Sequence, residues 1–287
     1  MENKNLDQIK IMEYYDKKKK YNMNIFTYMP KGIINDMKII FVMSGCLRDA
    51  LNYLKKWMDY ADKNNYIIIA PEFDKRHYSI GDHEYGNVID IEYDYSSQDI
   101  YVPFMKYDTK IKSEDDWIYK NIDEIYLDFI QRYNIEKKGY IMFGHSSGSQ
   151  FTHRFAMLGN SEYCNKYICA NAGLYTFYDT NKNYPYGIMN LDKYSDRIKA
   201  SLQKEVYILA GKKDTESNML NLLPEDKEEG KNRYERAKNF YNSAKEFAND
   251  NGVNFNWKFI SMPNVGHHSK DVIPIAVNII NEKYNEI

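Results

Sequence analysis

The chain of 287 residues suffices for one large α/β domain or two small ones, and 43% hydrophobic residues can fill a sizeable core. A net charge of -2 offers no general attraction for nucleic acid or another polyanion, and no apolar run approaches the roughly 18 residues of a membrane span. Three cysteines, Cys46, Cys164 and Cys169, cannot all pair within one chain and suit a reducing compartment. Met1 to Lys10 is polar and lacks an apolar signal core, so the expectation is a cytoplasmic protein, with export after removal of a leader left open.

Ile9–Tyr15 and Met23–Met29 read as two short strands, with Lys17–Lys20 between them as a solvated hairpin tip rather than a nucleic-acid patch. Lys38–Met43 is an almost unbroken apolar run, as expected of a strand buried on both faces. It ends at Ser44-Gly45-Cys46-Leu47-Arg48-Asp49. Ala50 to Asn64 then carries Leu51, Leu54, Trp57, Met58 and Ala61 at helical spacing, and Tyr66–Ala70 is a strand stopped by Pro71. This alternation of strand, helix and strand predicts a parallel sheet with helices on both faces.

From Glu72 to about Glu114 the pattern gives way to an aromatic-rich stretch that includes Tyr78, Tyr85, Tyr95, Tyr101 and Tyr107. It is too long for a compact linker and is expected to carry small elements or shape a pocket. Asp116 to Asn134 reads as a helix and delivers the chain to the run Gly139–Phe143. After that strand, a helix is expected to continue through Phe151 to Leu158. Tyr167–Gly173 is the next strand, and Leu174 to Lys204 is a second irregular, aromatic insert. Glu205–Gly211 is a buried strand, Lys231 to Asn251 an amphipathic helix, Phe255–Ser261 the last strand and Asp271–Tyr284 the closing helix, with Pro274 in its first turn. No internal repeat or linker divides the chain, so residues 1–287 are read as a single domain with pocket-shaping inserts at 72–114 and 174–204.

The chemistry gathers at the ends of strands. Gly144-His145-Ser146-Ser147-Gly148 stands between a strand and a helix, the context of a nucleophile elbow. A serine hydroxyl is a poor nucleophile near neutral pH. It needs a histidine to take its proton and a carboxylate to orient that histidine. Ser146, Asp214 and His267 each follow a predicted strand, in that order along the chain. Asp214 follows its strand most directly, with Glu216 and Asp179 as rival acids. Gly266 leaves the loop free to aim His267, with His268 as a rival base. His145 reads as a packing or hydrogen-bonding residue.

An oxyanion needs donors, expected from the backbone N–H of Ser147 and of Cys46, or else Leu47. Cys46 as a nucleophile has no assigned base. His77, Asp82, His83 and Glu84 are capable of binding metal but match no strong zinc spacing, and they read as solvated loop residues.

The segments Phe41–Ala50, Tyr85-Gly86-Asn87, Gly144–Gly148, Gly211–Thr215, Asn232-Arg233-Tyr234 and Pro263–His267 resemble the α/β-hydrolase superfamily, and within it the poly(3-hydroxybutyrate) depolymerase-like and esterase-like hydrolases. The resemblance runs from about Ile9 to Tyr284. It implies nucleophile, acid and base roles for Ser146, Asp214 and His267, with no cofactor and a small-molecule ester as substrate. Members commonly carry His-Gly in the oxyanion loop, where this chain has Ser44-Gly45. The expected activity is hydrolysis of a carboxylic ester. A peptidase or amidase with the same triad, and a non-catalytic binding protein on the same fold, are the alternatives.

Overall fold

Apolar runs with no polar alternation need cover on both faces, and helices provide it here. The computed structural model describes residues 6–32, 34–94, 104–216, 220 and 224–283. In chain order the elements are β1 (Ile9–Asp16), β2 (Tyr21–Tyr28), β3 (Lys38–Met43), α1 (Ala50–Asn64), β4 (Tyr66–Pro71), α2 (Ile80–Tyr85), β5 (Ile91–Asp94), β6 (Phe104–Tyr107) and α3 (Tyr119–Tyr133). There follow β7 (Tyr140–His145), α4 (Ser147–Leu158), β8 (Cys164–Ala170), α5 (Ser195–Ser201), β9 (Val206–Gly211), α6 (Pro224–Glu229), α7 (Arg233–Asp250), β10 (Lys258–Met262) and α8 (Ser269–Ile280).

Eight strands form one sheet in the order β1-β2-β4-β3-β7-β8-β9-β10, and β5 and β6 pair separately as an antiparallel hairpin. From β4 to β10 the large sheet is parallel, while β1 and β2 form an antiparallel hairpin on its edge, with Ile9 opposite Tyr28. The side chains of β3 alternate between two cores. Ile39, Phe41 and Met43 face α3, α4 and α7, where Ile122, Phe151 and Phe240 are buried. Ile40 and Val42 face α1 and α8, where Leu54, Trp57, Val272 and Ala276 are buried. Both layers are built of buried apolar side chains, as the β-branched and aliphatic run in the sequence requires.

Several boundaries differ from expectation. β8 begins at Cys164 and stops at Ala170, because Asn171 takes a left-handed backbone (φ 49) and leaves the sheet. β10 begins at Lys258, since the Asn256 N–H and the Trp257 indole bond instead to carbonyls at the end of α5, Leu202 O and Ser201 O. α8 spans Ser269–Ile280, so Pro274 falls in its second turn. Tyr95, Tyr101 and Tyr284 lie outside the described residues.

The two long inserts are tied to the elbow helix by a single buried cation. Arg154, on α4, donates from Nε to Thr176 Oγ1 (2.9 Å) and from Nη1 to Glu84 O (3.1 Å), with its guanidinium over the Tyr85 ring. Thr176 in turn bonds Pro185 O at 2.7 Å.

The Lys17–Lys20 tip is not wholly solvated. Lys19 Nζ pairs with Asp82 at 2.7 Å. Asp82 also closes a capping box at the start of α2, where Asp82, His83 and Glu84 are all buried rather than loop residues in water.

Glu229 closes α6 in the core, accepting from the Tyr175 N–H at 3.1 Å. Burial pushes its carboxyl up to about 8, against the pull of the Arg236 guanidinium. The folded chain therefore holds this proton more tightly than the unfolded chain. The stabilisation is complete below the ordinary glutamate range and is lost as pH rises towards 8. Glu229→Gln keeps an acceptor and removes the titration, so urea midpoints measured at about pH 5 and about pH 9 should converge relative to wild type. An unchanged difference between the two midpoints would contradict the assignment.

Candidate active site

The elbow is built by steric exclusion. A side chain on Gly144 would meet Gly148 O at 2.2 Å, and one on Gly148 would meet Met43 O at 2.1 Å, so only glycine lets β3, β7 and α4 approach this closely. Ser146 sits between them at φ 56, ψ -122, a conformation that costs a non-glycine residue about 1–3 kcal/mol. Its N–H bonds Ala170 O at 3.0 Å, while its carbonyl accepts from Ser149 and Gln150. The strained residue is thus pinned from both sides.

The loop after β9 carries Asp214, and the loop after β10 carries His267. Backbone bonds from Lys212 to Met262 O and from Lys213 to Val265 O, both 3.0 Å, zip the two loops together. Asn171, just past β8, bridges them again, accepting from the Gly211 N–H and donating to Gly266 O, both at 2.9 Å. As a result Asp214 Oδ2 lies 2.7 Å from His267 Nδ1, and His267 Nε2 lies 3.1 Å from Ser146 Oγ. Asp214 is buried, and its other oxygen lies 3.4 Å from Arg233 Nη1 at the start of α7. These distances link a carboxylate, an imidazole and a hydroxyl in one hydrogen-bonded line, able to move a proton off Ser146.

The rival residues stand apart from this line. Glu216 is exposed, and its backbone carbonyl takes a bond from Arg233. Asp179 accepts from Asn181 N in its own turn. His268 is exposed at the entry to α8.

His145 is buried, with its ring 4.9 Å from that of His267. Burial, then the neighbouring His267, holds it well below the ordinary histidine range and therefore neutral.

Ser146 opens into a cleft of about 290 Å³ whose walls include Gly45, Cys46, Ser147, Leu174, Leu220 and His267. Gly45 and Cys46 lie opposite the elbow, with the position of a Gly45 Cβ only 3.6 Å from Ser146 Cβ. Burial, then Glu84, pushes the Cys46 thiol up, so it is not an activated nucleophile.

His83 of α2 donates from Nε2 to Ser44 O at 3.1 Å, and burial keeps it neutral. The reading of His83 as a solvated loop residue is corrected on that observation. The Glu84 carboxyl hydrogen-bonds with Ser147 and Gln150, and burial raises it.

Tyr53 of α1 carries no sequence signal of a role, since it is one aromatic among many on a helix. Its hydroxyl lies 3.0 Å from His145 Nδ1 and sits where a Gly45 side chain would meet it at 2.7 Å. It thus joins the loop opposite the elbow to the ring packed against His267. Tyr53→Phe should lower kcat about tenfold with little change in KM, the order of one hydrogen bond. A wild-type kcat in steady-state assays would rule the residue out as a positioning residue.

No protein-family model matches the chain, and comparison with curated proteins by sequence returns no match. Solved structures do match. A poly(aspartic acid) hydrolase from Sphingomonas sp. KT-1 is 24% identical, with a TM-score of 0.84 over 95% of this chain and 98% of that one. A poly(3-hydroxybutyrate) depolymerase from Bordetella parapertussis is 22% identical, with a TM-score of 0.84 over 97% and 92%. A fluorophosphonate-binding serine hydrolase from Staphylococcus aureus is 14% identical, with a TM-score of 0.57 over 97% and 98%. The fold is that of the α/β-hydrolases.

Proposed function

We propose that this protein is a serine hydrolase that cleaves carboxylic esters through an acyl-enzyme intermediate. One observation carries the reading: the continuous chain from Asp214 through His267 to Ser146, at 2.7 and 3.1 Å, at the wall of a cleft. Ser146 Oγ attacks the carbonyl as His267 Nε2 takes its proton. Asp214 holds the Nδ1–H tautomer and stabilises the imidazolium. The backbone N–H groups of Ser147 and Cys46 receive the oxyanion, with Ser147 at the positive end of α4. The imidazolium then protonates the departing alcohol. Water, activated by the same histidine, releases the acid and restores Ser146.

The scheme calls for no metal or cofactor, and a cleft of about 290 Å³ suits a small ester or one end of a larger chain. Among the described residues no helix is long and apolar enough to cross a membrane. All three cysteines are free, which is compatible with a reducing cytoplasmic setting.

A second reading, amide cleavage by the same residues, is favoured by the likeness to a poly(aspartic acid) hydrolase, since that polymer is joined by amide bonds. Turnover of nitrophenyl esters and of peptide anilides by wild type and His267→Gln separates the readings. Ester hydrolysis lost in the variant supports the proposal. Anilide hydrolysis with inert esters supports the second reading, and activity on neither would sink both.

A further inference from the structure

Beside the cleft at Ser146 lies another, of about 510 Å³, which shares Cys46, Ile80 and Glu84 with it. The shared residues place the two clefts side by side, next to the loop proposed to hold the oxyanion. The second cleft differs in charge. Arg48, Lys75 and Arg76 line it, against Glu84 as the one carboxylate in its wall and Asp74 paired with Arg76, in a chain whose net charge is -2.

Arg48 is buried and fixed, while Lys75, Arg76 and His77 are exposed. Arg48 is 7% exposed and holds a left-handed backbone (φ 59). Its Nη1 donates to Tyr78 O and, at 3.3 Å, to Phe73 O. The Arg76 guanidinium is clamped by both oxygens of Asp74, and the His77 ring stacks on Tyr21 with centroids 3.6 Å apart. The Glu84 carboxyl is turned to Ser147 and Gln150, and burial favours its neutral form. Cations gathered along one cleft attract an anion, and Arg48, already held in place, needs little reorganisation to meet it.

We propose that the second cleft receives a carboxylate carried by the substrate, so that the preferred esters bear a free carboxylate a few bonds from the scissile carbonyl. This rests on the ester hydrolysis proposed above and names its substrate class.

The test compares matched pairs. On the acyl side, the mono-nitrophenyl ester of adipic acid is set against nitrophenyl hexanoate. On the alcohol side, para-butanoyloxybenzoate is set against its methyl ester. In at least one pair the charged ester should have the higher kcat/KM by about tenfold, the order of one charge-assisted hydrogen bond. That ratio should fall towards unity in Lys75→Gln/Arg76→Gln and in about 1 M salt. Neutral esters preferred in both pairs, or a ratio untouched by the double substitution, would overturn the proposal.

Calorimetry with the adipate and hexanoate esters on Ser146→Ala gives a readout independent of turnover. Tighter binding of the adipate ester, lost when Lys75→Gln/Arg76→Gln is added, upholds the cleft even if wild type hydrolyses no ester. Equal binding of the two esters counts against it even if neutral esters are turned over.

Discussion

Ser146→Ala is expected to lower kcat for ester hydrolysis on the order of 10⁵-fold, leaving only what the oxyanion donors and binding supply. The loss should be as deep for Ser146→Ala/His267→Ala as for the single variant, because the two side chains act as one unit 3.1 Å apart. The elbow conformation adds a second expectation. At φ 56, ψ -122 a glycine is unstrained, so Ser146→Gly should be inactive yet more stable than wild type by about 1 kcal/mol. Comparison of urea midpoints for Ser146→Gly and Ser146→Ala checks this. A glycine variant less stable than the alanine variant would show that the backbone holds no strain there.

Asp214→Asn is expected to lower kcat by about 10⁴-fold while leaving the fold intact. The carboxylate accepts the His267 Nδ1–H at 2.7 Å, which leaves Nε2 unprotonated and facing Ser146. An asparagine amide offers its own N–H to Nδ1 and so favours the opposite tautomer, with a proton on Nε2 where a lone pair is needed. Asn and Asp have nearly the same shape, so the zipped loops should keep their arrangement, while the thermal midpoint should fall because the buried Arg233 loses its carboxylate partner. A variant within tenfold of wild type would mean that Asp214 does not orient the base.

The parallel strands were legible because burial on both faces leaves an unbroken apolar run, as in β3, β4 and β9. The elbow was legible for a different reason: only glycine fits at Gly144 and Gly148. What escaped the sequence depends on partners far along the chain. Asp82, His83 and Glu84 looked like solvated polar residues because Lys19, Ser44 and Ser147, which satisfy them, lie on other elements. Arg154, Tyr53 and Asn171 join segments more than 20 residues apart through side-chain bonds that leave no periodic mark. The end of β8 and the start of β10 moved by three residues because a local backbone turn and two bonds to the end of α5 outweigh the β propensity of the flanking residues.

The proposed hydrolysis turns on an activated hydroxyl at the elbow. The most direct measurement is reaction of the intact protein with a fluorophosphonate probe, followed by mass spectrometry of its peptides. One adduct, on the peptide carrying Ser146 and absent from His267→Gln, is the predicted result. No adduct, or an adduct on a different residue, would contradict it.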